Sequence, residues 1–153
     1  KNAYYVPTIC QTQDLETILE SGLPQFMVDK ALSVKEIHLE GFKKAYKAGV
    51  KIACGSDSPP LSQFTHLELK HLKIAGMSTA DTLKSGTTIP AELCGVSNTF
   101  GKIEENYIAD IIVLEDNPLN NLNTVFDPTM VFKHGIKFDE QYGLASFEDI
   151  YIN

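Results

Sequence analysis

The sequence predicts an α/β chain in which helices and apolar strands alternate over residues 1–96, followed by a β-rich tail over residues 97–153. Three observations carry this. Residues 33–60 run helix, glycine, apolar strand and turn, the punctuation of a parallel α/β unit. The turn, Gly55-Ser56-Asp57-Ser58-Pro59-Pro60, places a carboxylate at the carboxyl end of that strand, where α/β proteins collect their functional groups. After Ser97 the helical periodicity stops, and short strands alternate with turns.

Residues 3–9 are aromatic and β-branched and read as a strand. Pro7 should mark its exit, because proline cannot donate to a ladder. Residues 14–21 form a short helical stretch stopped by Gly22, and residues 24–32 a second one. Ser33 is expected to open the clearest helix: Ser33 and Glu36 have the S-x-x-E spacing of a capping box. Val34, Ile37, Gly41, Ala45 and Ala48 recur at threes and fours and give that helix one apolar face. Gly49 is the left-handed stop, and residues 50–54 follow as a strand. Strand parity puts Val50, Ile52 and Cys54 on the side that packs under helices. Lys51, Ala53, Gly55 and Asp57 fall on the other side, which suits the interior of a closed barrel. Residues 63–76 form a helix with Leu67, Ile74 and Ala75 toward the core. Ser78 starts the next, with Asp81 in the capping position. Thr88-Ile89-Pro90 starts another, and Gly95 ends it. In the tail, residues 108–114 read as a strand, Asn117-Pro118 as a turn, and residues 131–138 as a hairpin around His134-Gly135.

The composition narrows the function classes. At 153 residues and 43% hydrophobic content the chain can build a real core. A net charge of −7 argues against a nucleic-acid or anionic-membrane surface, both of which need clustered Lys and Arg. No apolar run is long enough to span a bilayer, and the start has no signal-peptide pattern. Cys10, Cys54 and Cys94 contain no CxxC pair, so a zinc ribbon or thiol–disulfide motif is unsupported, and a reduced, cytoplasmic setting is expected. The chain begins at Lys1 and opens directly into a strand, so a piece of a longer polypeptide is expected.

Ala48-Gly49-Val50-Lys51-Ile52-Ala53-Cys54-Gly55-Ser56-Asp57 resembles the eighth barrel strand of the amidohydrolase superfamily, in its imidazolonepropionase-like and Xaa-Pro dipeptidase-like branch. Val6-Pro7-Thr8 resembles the seventh strand. Glu68-Leu69 sits where that family has an acidic-Leu pair, and the helices at Ala75–Leu83 and Thr87–Gly95 resemble those that follow. The tail is the most specific part. Phe100-Gly101-Lys102-Ile103, Ile108-Ala109-Asp110-Ile111-Ile112-Val113-Leu114, Asn117-Pro118-Leu119 and Val131-Phe132-Lys133-His134-Gly135 resemble the family's return to a small β-sandwich. Asn106 departs from the pattern, which usually has glycine there, and should change a turn.

The resemblance implies a fold: residues 1–96 as the last strand–helix units of a (β/α)₈ TIM-type barrel, and residues 97–153 as part of the β-sandwich. It also implies a metal-dependent hydrolase that cleaves a C–N bond, in a cyclic amide or a dipeptide-like substrate, with metal-activated water. The cofactor would be one or two divalent ions, zinc by expectation, with Asp57 as a metal ligand and proton acceptor. The family's other metal ligands would lie upstream of Lys1, so these residues alone are expected to be inactive. The partners would be the substrate and either the N-terminal part of the same protein or another copy, with no nucleic acid and no membrane. The alternative is a non-enzymatic α/β interaction or assembly module that lacks the metal ligands.

Each candidate residue also has a structural reading. Asp57 would equally serve as a helix N-cap or turn residue. Ser56 and Ser58 flank it and would hold its loop, since no His base is placed by sequence for a serine nucleophile. His66 follows the loop and is a candidate for the substrate side, against an ordinary helix-flank position. His66 and His71 do not reproduce H-E-x-x-H. His71 reads as a satisfied core or boundary residue, His38 as structural or partly exposed, and His134 as a solvated turn residue. Cys54 reads as a small buried hydrophobe.

Overall fold

The computed structural model describes residues 3–14, 19, 22–57 and 65–138. Its architecture is mixed α/β. Strand β1 (Tyr4–Tyr5) is followed by the short helix α1 (Cys10–Gln13), the long helix α2 (Gln25–Lys47) and strand β2 (Lys51–Ile52). Helices α3 (Thr65–Ile74), α4 (Thr79–Ser85) and α5 (Thr88–Leu93) come next. Strand β3 (Ile111–Val113), a 3₁₀ turn at Leu122–Phe126, and strands β4 (Met130–Lys133) and β5 (Ile136–Lys137) complete it.

The two N-terminal strands pair in parallel, Tyr4 with Lys51 and Tyr5 with Ile52. Parallel strands need a long crossover, and α2 supplies it. Residues 3–9 do not form one strand. The pairing ends early because Pro7 cannot donate, Thr8 turns with φ +47°, and Ile9 then caps α1. The expected helix over residues 14–21 lies largely outside the described residues.

Helix α2 corrects a second expectation. It runs unbroken from Gln25 to Lys47, with Pro24 at its N-cap, so Ser33 opens nothing. Nothing between residues 25 and 33 breaks a helix, and the Ser33 hydroxyl donates to the Lys30 carbonyl 2.8 Å away instead of capping. The buried face is also rotated from the expected one. Phe42 is fully buried and stacks with Tyr46 at 6.3 Å between ring centroids, while Ile37 is 75% exposed and Gly41 is exposed. Burying Phe42 removes more apolar area from water than burying Ile37 would, and the face that carries Phe42 goes inward. The helix ends as expected at Gly49 (φ +75°), where Gly49 and Val50 donate to the Tyr46 and Ala45 carbonyls in a Schellman arrangement.

The core lies between the parallel pair and the helices. Ile9, Phe42, Ile52, Leu72, Ala75 and Met77 form it, with Tyr5, Leu39, Tyr46, Val50 and Cys54 packed against them. The parity of β2 therefore runs as the sequence indicates. In α3 it does not: Ile74 is 69% exposed, and Glu68 is buried in place of an aliphatic residue. The far edge of β2 is partly closed, since the Cys54 N–H donates to the Ser85 carbonyl at 2.8 Å. Ser78 caps α4 by accepting the Asp81 N–H, and Asp81 takes hydrogen bonds from the Ser78 and Tyr46 hydroxyls. These two hydroxyls, Ser78 first, hold the Asp81 carboxyl below its ordinary range.

In the tail, β3, β4 and β5 form an antiparallel sheet in that order. Strand β3 is shorter than residues 108–114 because Asp110 leaves the ladder to bind the hairpin, accepting from Lys133 Nζ at 2.6 Å and from His134 N at 2.9 Å. His134 and Gly135 both have positive φ, the two-residue hairpin turn expected there. Asn106 also sits at φ +68°, so it keeps the left-handed conformation that a glycine would supply. The 3₁₀ turn at Leu122–Phe126, capped by Asn121, has no counterpart in the sequence reading.

Candidate active site

The carboxyl ends of β1 and β2 lie side by side, and Ser56 and Asp57 follow just beyond. Gly55 permits a close approach to Val6: a Cβ on it would lie 2.7 Å from Val6 Cγ1. Ser56 is buried, at 5% exposure. Asp57 follows, exposed to solvent, with φ +50°. A left-handed non-glycine residue costs of order 1–3 kcal/mol and persists only where its surroundings hold it.

Gln11 holds it. From the first turn of α1, its side-chain amide Nε2 donates to the Ser56 carbonyl at 2.7 Å and to the Asp57 carbonyl at 3.3 Å. The Cys10 thiol lies 3.7 Å from the same Ser56 carbonyl.

The start of α1 is fixed in turn by Glu68 of α3. Its Oε1 accepts from the Ile9 N–H at 2.8 Å and its Oε2 from the Cys10 N–H at 2.9 Å. Burial pushes the Glu68 carboxyl up from its ordinary value, against the Cys10 and Ile9 N–H bonds, which pull it down. Burial, and then the Glu68 charge, also pushes up the Cys10 and Cys54 thiols. Neither cysteine is therefore set up as a thiolate nucleophile.

One turn along α3, His71 is buried with Nε2 3.3 Å from Asp14 Oδ2. Its Nδ1 has no hydrogen-bond partner among the described residues. His71 is thus a buried residue of α3, as its spacing indicates, but only one of its ring nitrogens is satisfied among the described residues, not both as expected. His38 lies in α2 with Nδ1 2.8 Å from the Thr12 hydroxyl.

Of the candidate site residues, Ser56 and Asp57 stand together at the mouth of β2. Ser58 lies outside the described residues. His66 is exposed, and its ring tilts against Phe126 of the tail, with centroids 5.7 Å apart. Among the described residues no three His, Cys, Asp or Glu side chains cluster as a metal site. Gln11 escaped the sequence reading because its partners are remote in the chain. Glu68 was marked only by its place in the acidic-Leu pair.

Comparison with known proteins places the chain. The sequence model of the Amidohydrolase family matches residues 1–137. The chain belongs to that family. Among curated amidohydrolase relatives, the ochratoxinase of Aspergillus niger is 34% identical over 122 residues, which cover 76% of this chain and 25% of that protein. The crystal structure of A. niger ochratoxinase superposes with a TM-score of 0.70 at 32% identity, covering 89% of this chain and 32% of that one. A Xaa-Pro dipeptidase crystallised with methionine in its active site gives a TM-score of 0.77 at 28% identity, covering 90% and 34%. A prolidase complexed with N-methylphosphonate-L-proline also gives 0.77 at 28%, covering 90% and 35%. The chain spans about a quarter of the length of the curated relative and about a third of the solved chains.

Proposed function

We propose that this chain is the C-terminal part of a metal-dependent amidohydrolase that hydrolyses a C–N bond in a small cyclic amide or dipeptide-like substrate. The observation that carries the reading is Asp57: an exposed carboxylate at the carboxyl end of β2, in a chain of this family. In this reading β1 and β2 are the last two strands of a (β/α)₈ barrel and residues 1–96 its final units. Residues 97–153 return to a small β-sandwich, and β3–β5 are part of it. The substrate class follows the dipeptidase and prolidase neighbours.

Asp57 fits a divalent ion as one hard oxygen ligand, and zinc is the proposed ion. The remaining ligands would come from outside the described residues. When bound, the metal supplies an activated water, by lowering its pKa from ~15.7 to about 7. The chain's own contribution is the Asp57 carboxylate, which accepts the proton of the attacking water and returns it to the leaving nitrogen. Ser56 flanks Asp57 as a proposed loop residue, and His66 is the proposed residue on the substrate side. The proposed partners are the N-terminal part of the same protein or another copy, and the proposed location is the cytoplasm. Among the described residues, no helix is long and apolar enough to cross a membrane.

The test is metal analysis and hydrolysis of a panel of Xaa-Pro dipeptides and cyclic amides by the full-length protein. The reading expects bound zinc, loss of turnover on chelation and recovery on adding zinc back. A full-length protein that binds no divalent metal and turns over nothing would overturn it in favour of an interaction module.

A further inference from the structure

We propose that Gln11 is a positioning residue for Asp57, acting through the backbone it grips. This rests on the reading that Asp57 takes part in the chemistry.

A primary amide carries two N–H donors. Nε2 of Gln11 reaches two consecutive carbonyls, those of Ser56 and Asp57, at 2.7 and 3.3 Å. Such a grip fixes the peptide plane between the two residues and thereby the rotation about the Asp57 N–Cα bond. Asp57 needs that restraint, since φ +50° is a conformation that an aspartate leaves easily. The direction of its carboxylate depends on that torsion.

The anchor behind the grip is rigid. Gln11 lies in the first turn of α1, and both backbone N–H groups at the start of that helix end on the fully buried Glu68 carboxylate. Helix α1 is thus joined to helix α3 by the Glu68 side chain and to the loop after β2 by that of Gln11, and the chain of contacts ends at Asp57. A role limited to holding the strands together would not need a donor shared between these two carbonyls. The parallel pairing already supplies that adhesion.

The experiment uses the full-length protein with Gln11→Met, which keeps length and removes both donors, and Gln11→Glu, which keeps shape and turns a donor into an acceptor. Each is made alone and together with Asp57→Asn. Zinc affinity is measured by chelator competition, and kcat and KM on a Xaa-Pro dipeptide. Loss of a residue that orients a metal ligand typically lowers affinity or activity about 10–100-fold. Both Gln11 variants are therefore expected to lose about 10–100-fold in zinc affinity and in kcat, with KM within about two-fold. Neither should lower zinc affinity further once Asp57 is asparagine. Parent-like zinc affinity and kcat in both variants would overturn the proposal. So would losses that simply multiply with that of Asp57→Asn, which would mark a general structural effect even in a variant that folds less well. If Asp57→Asn itself keeps the parent's zinc affinity and turnover, the reading of Asp57 fails, and that failure is separate from any behaviour of Gln11.

Discussion

The two ends of the parallel pair are built in opposite ways. At the amino end, Lys51 forms an ion pair with Glu92 of α5, Tyr4 Oη donates to the same carboxylate at 3.3 Å, and the Lys51 ammonium lies 5.3 Å over the Tyr4 ring. All three side chains are substantially open to water. At the carboxyl end the polar contacts are aimed at backbone: Glu68, buried, to two N–H groups, and Gln11, part-buried, to two carbonyls. Exposed ion pairs stabilise little and tolerate replacement. Buried groups that satisfy backbone donors do not. The difference shows which end the fold holds in one geometry, and it is the end that carries Asp57.

Substitutions can break or sharpen this contrast. The largest effect belongs to Asp57→Asn, which keeps the shape but cannot accept a proton. In the full-length protein kcat should fall by about 10²–10⁴-fold, the usual contribution of a positioned acid–base group, with the melting temperature unchanged. Stopped assays and calorimetry measure the two separately, and an active variant would leave Asp57 as a turn residue.

Next comes Glu68→Gln. Its amide has one acceptor oxygen for two N–H groups and sets a donor against the other, so urea titration should show a loss of about 1–3 kcal/mol. The pH dependence sharpens the test. Burial raises the folded carboxyl above its ordinary 4.5, so the folded state binds more protons than the unfolded one just above that value. The stability contributed by Glu68 is full below 4.5 and declines as pH rises through the raised value. The advantage of the parent over Glu68→Gln should narrow in that window and not widen.

The smallest effect is expected at the other end. Glu92→Gln removes the exposed partner of Lys51 and Tyr4, and should leave the melting temperature within error at moderate salt. A clear drop would mean that the amino end is as tightly specified as the mouth.

The sequence reading succeeded at several local signals. Gly49 as a stop, the parity of β2, the Ser78–Asp81 cap and the His134-Gly135 turn each depend on a few adjacent residues and on glycine or side-chain chemistry that permits few alternatives. It failed where a neighbouring residue outweighed the local signal or where the deciding contact was distant. Ser33 has a capping-box partner in Glu36, but Pro24 had already begun the helix. Ile37 and Ile74 look like core residues and lie outside, because Phe42 and Leu72 take the inward places. Glu68 looks like a surface charge until its N–H partners, 58 and 59 positions earlier, are brought to it. The position of Asp57 at a strand end was legible. The Gln11 amide that grips its backbone was not, since a glutamine in a polar stretch carries no local mark of its target.

The crossover between β1 and β2 has a consequence for how fast the chain folds. Tyr5 and Ile52 cannot meet until the residues between them are compacted, and closing a loop costs more entropy the longer its flexible part. Helix α2 takes up 23 of those residues as one rigid rod. A transition state that pairs the strands must therefore already contain much of α2. An exposed helix-weakening change such as Ile37→Gly, worth about 1 kcal/mol, should then appear mainly as slower refolding, with the unfolding limb of the chevron almost unmoved.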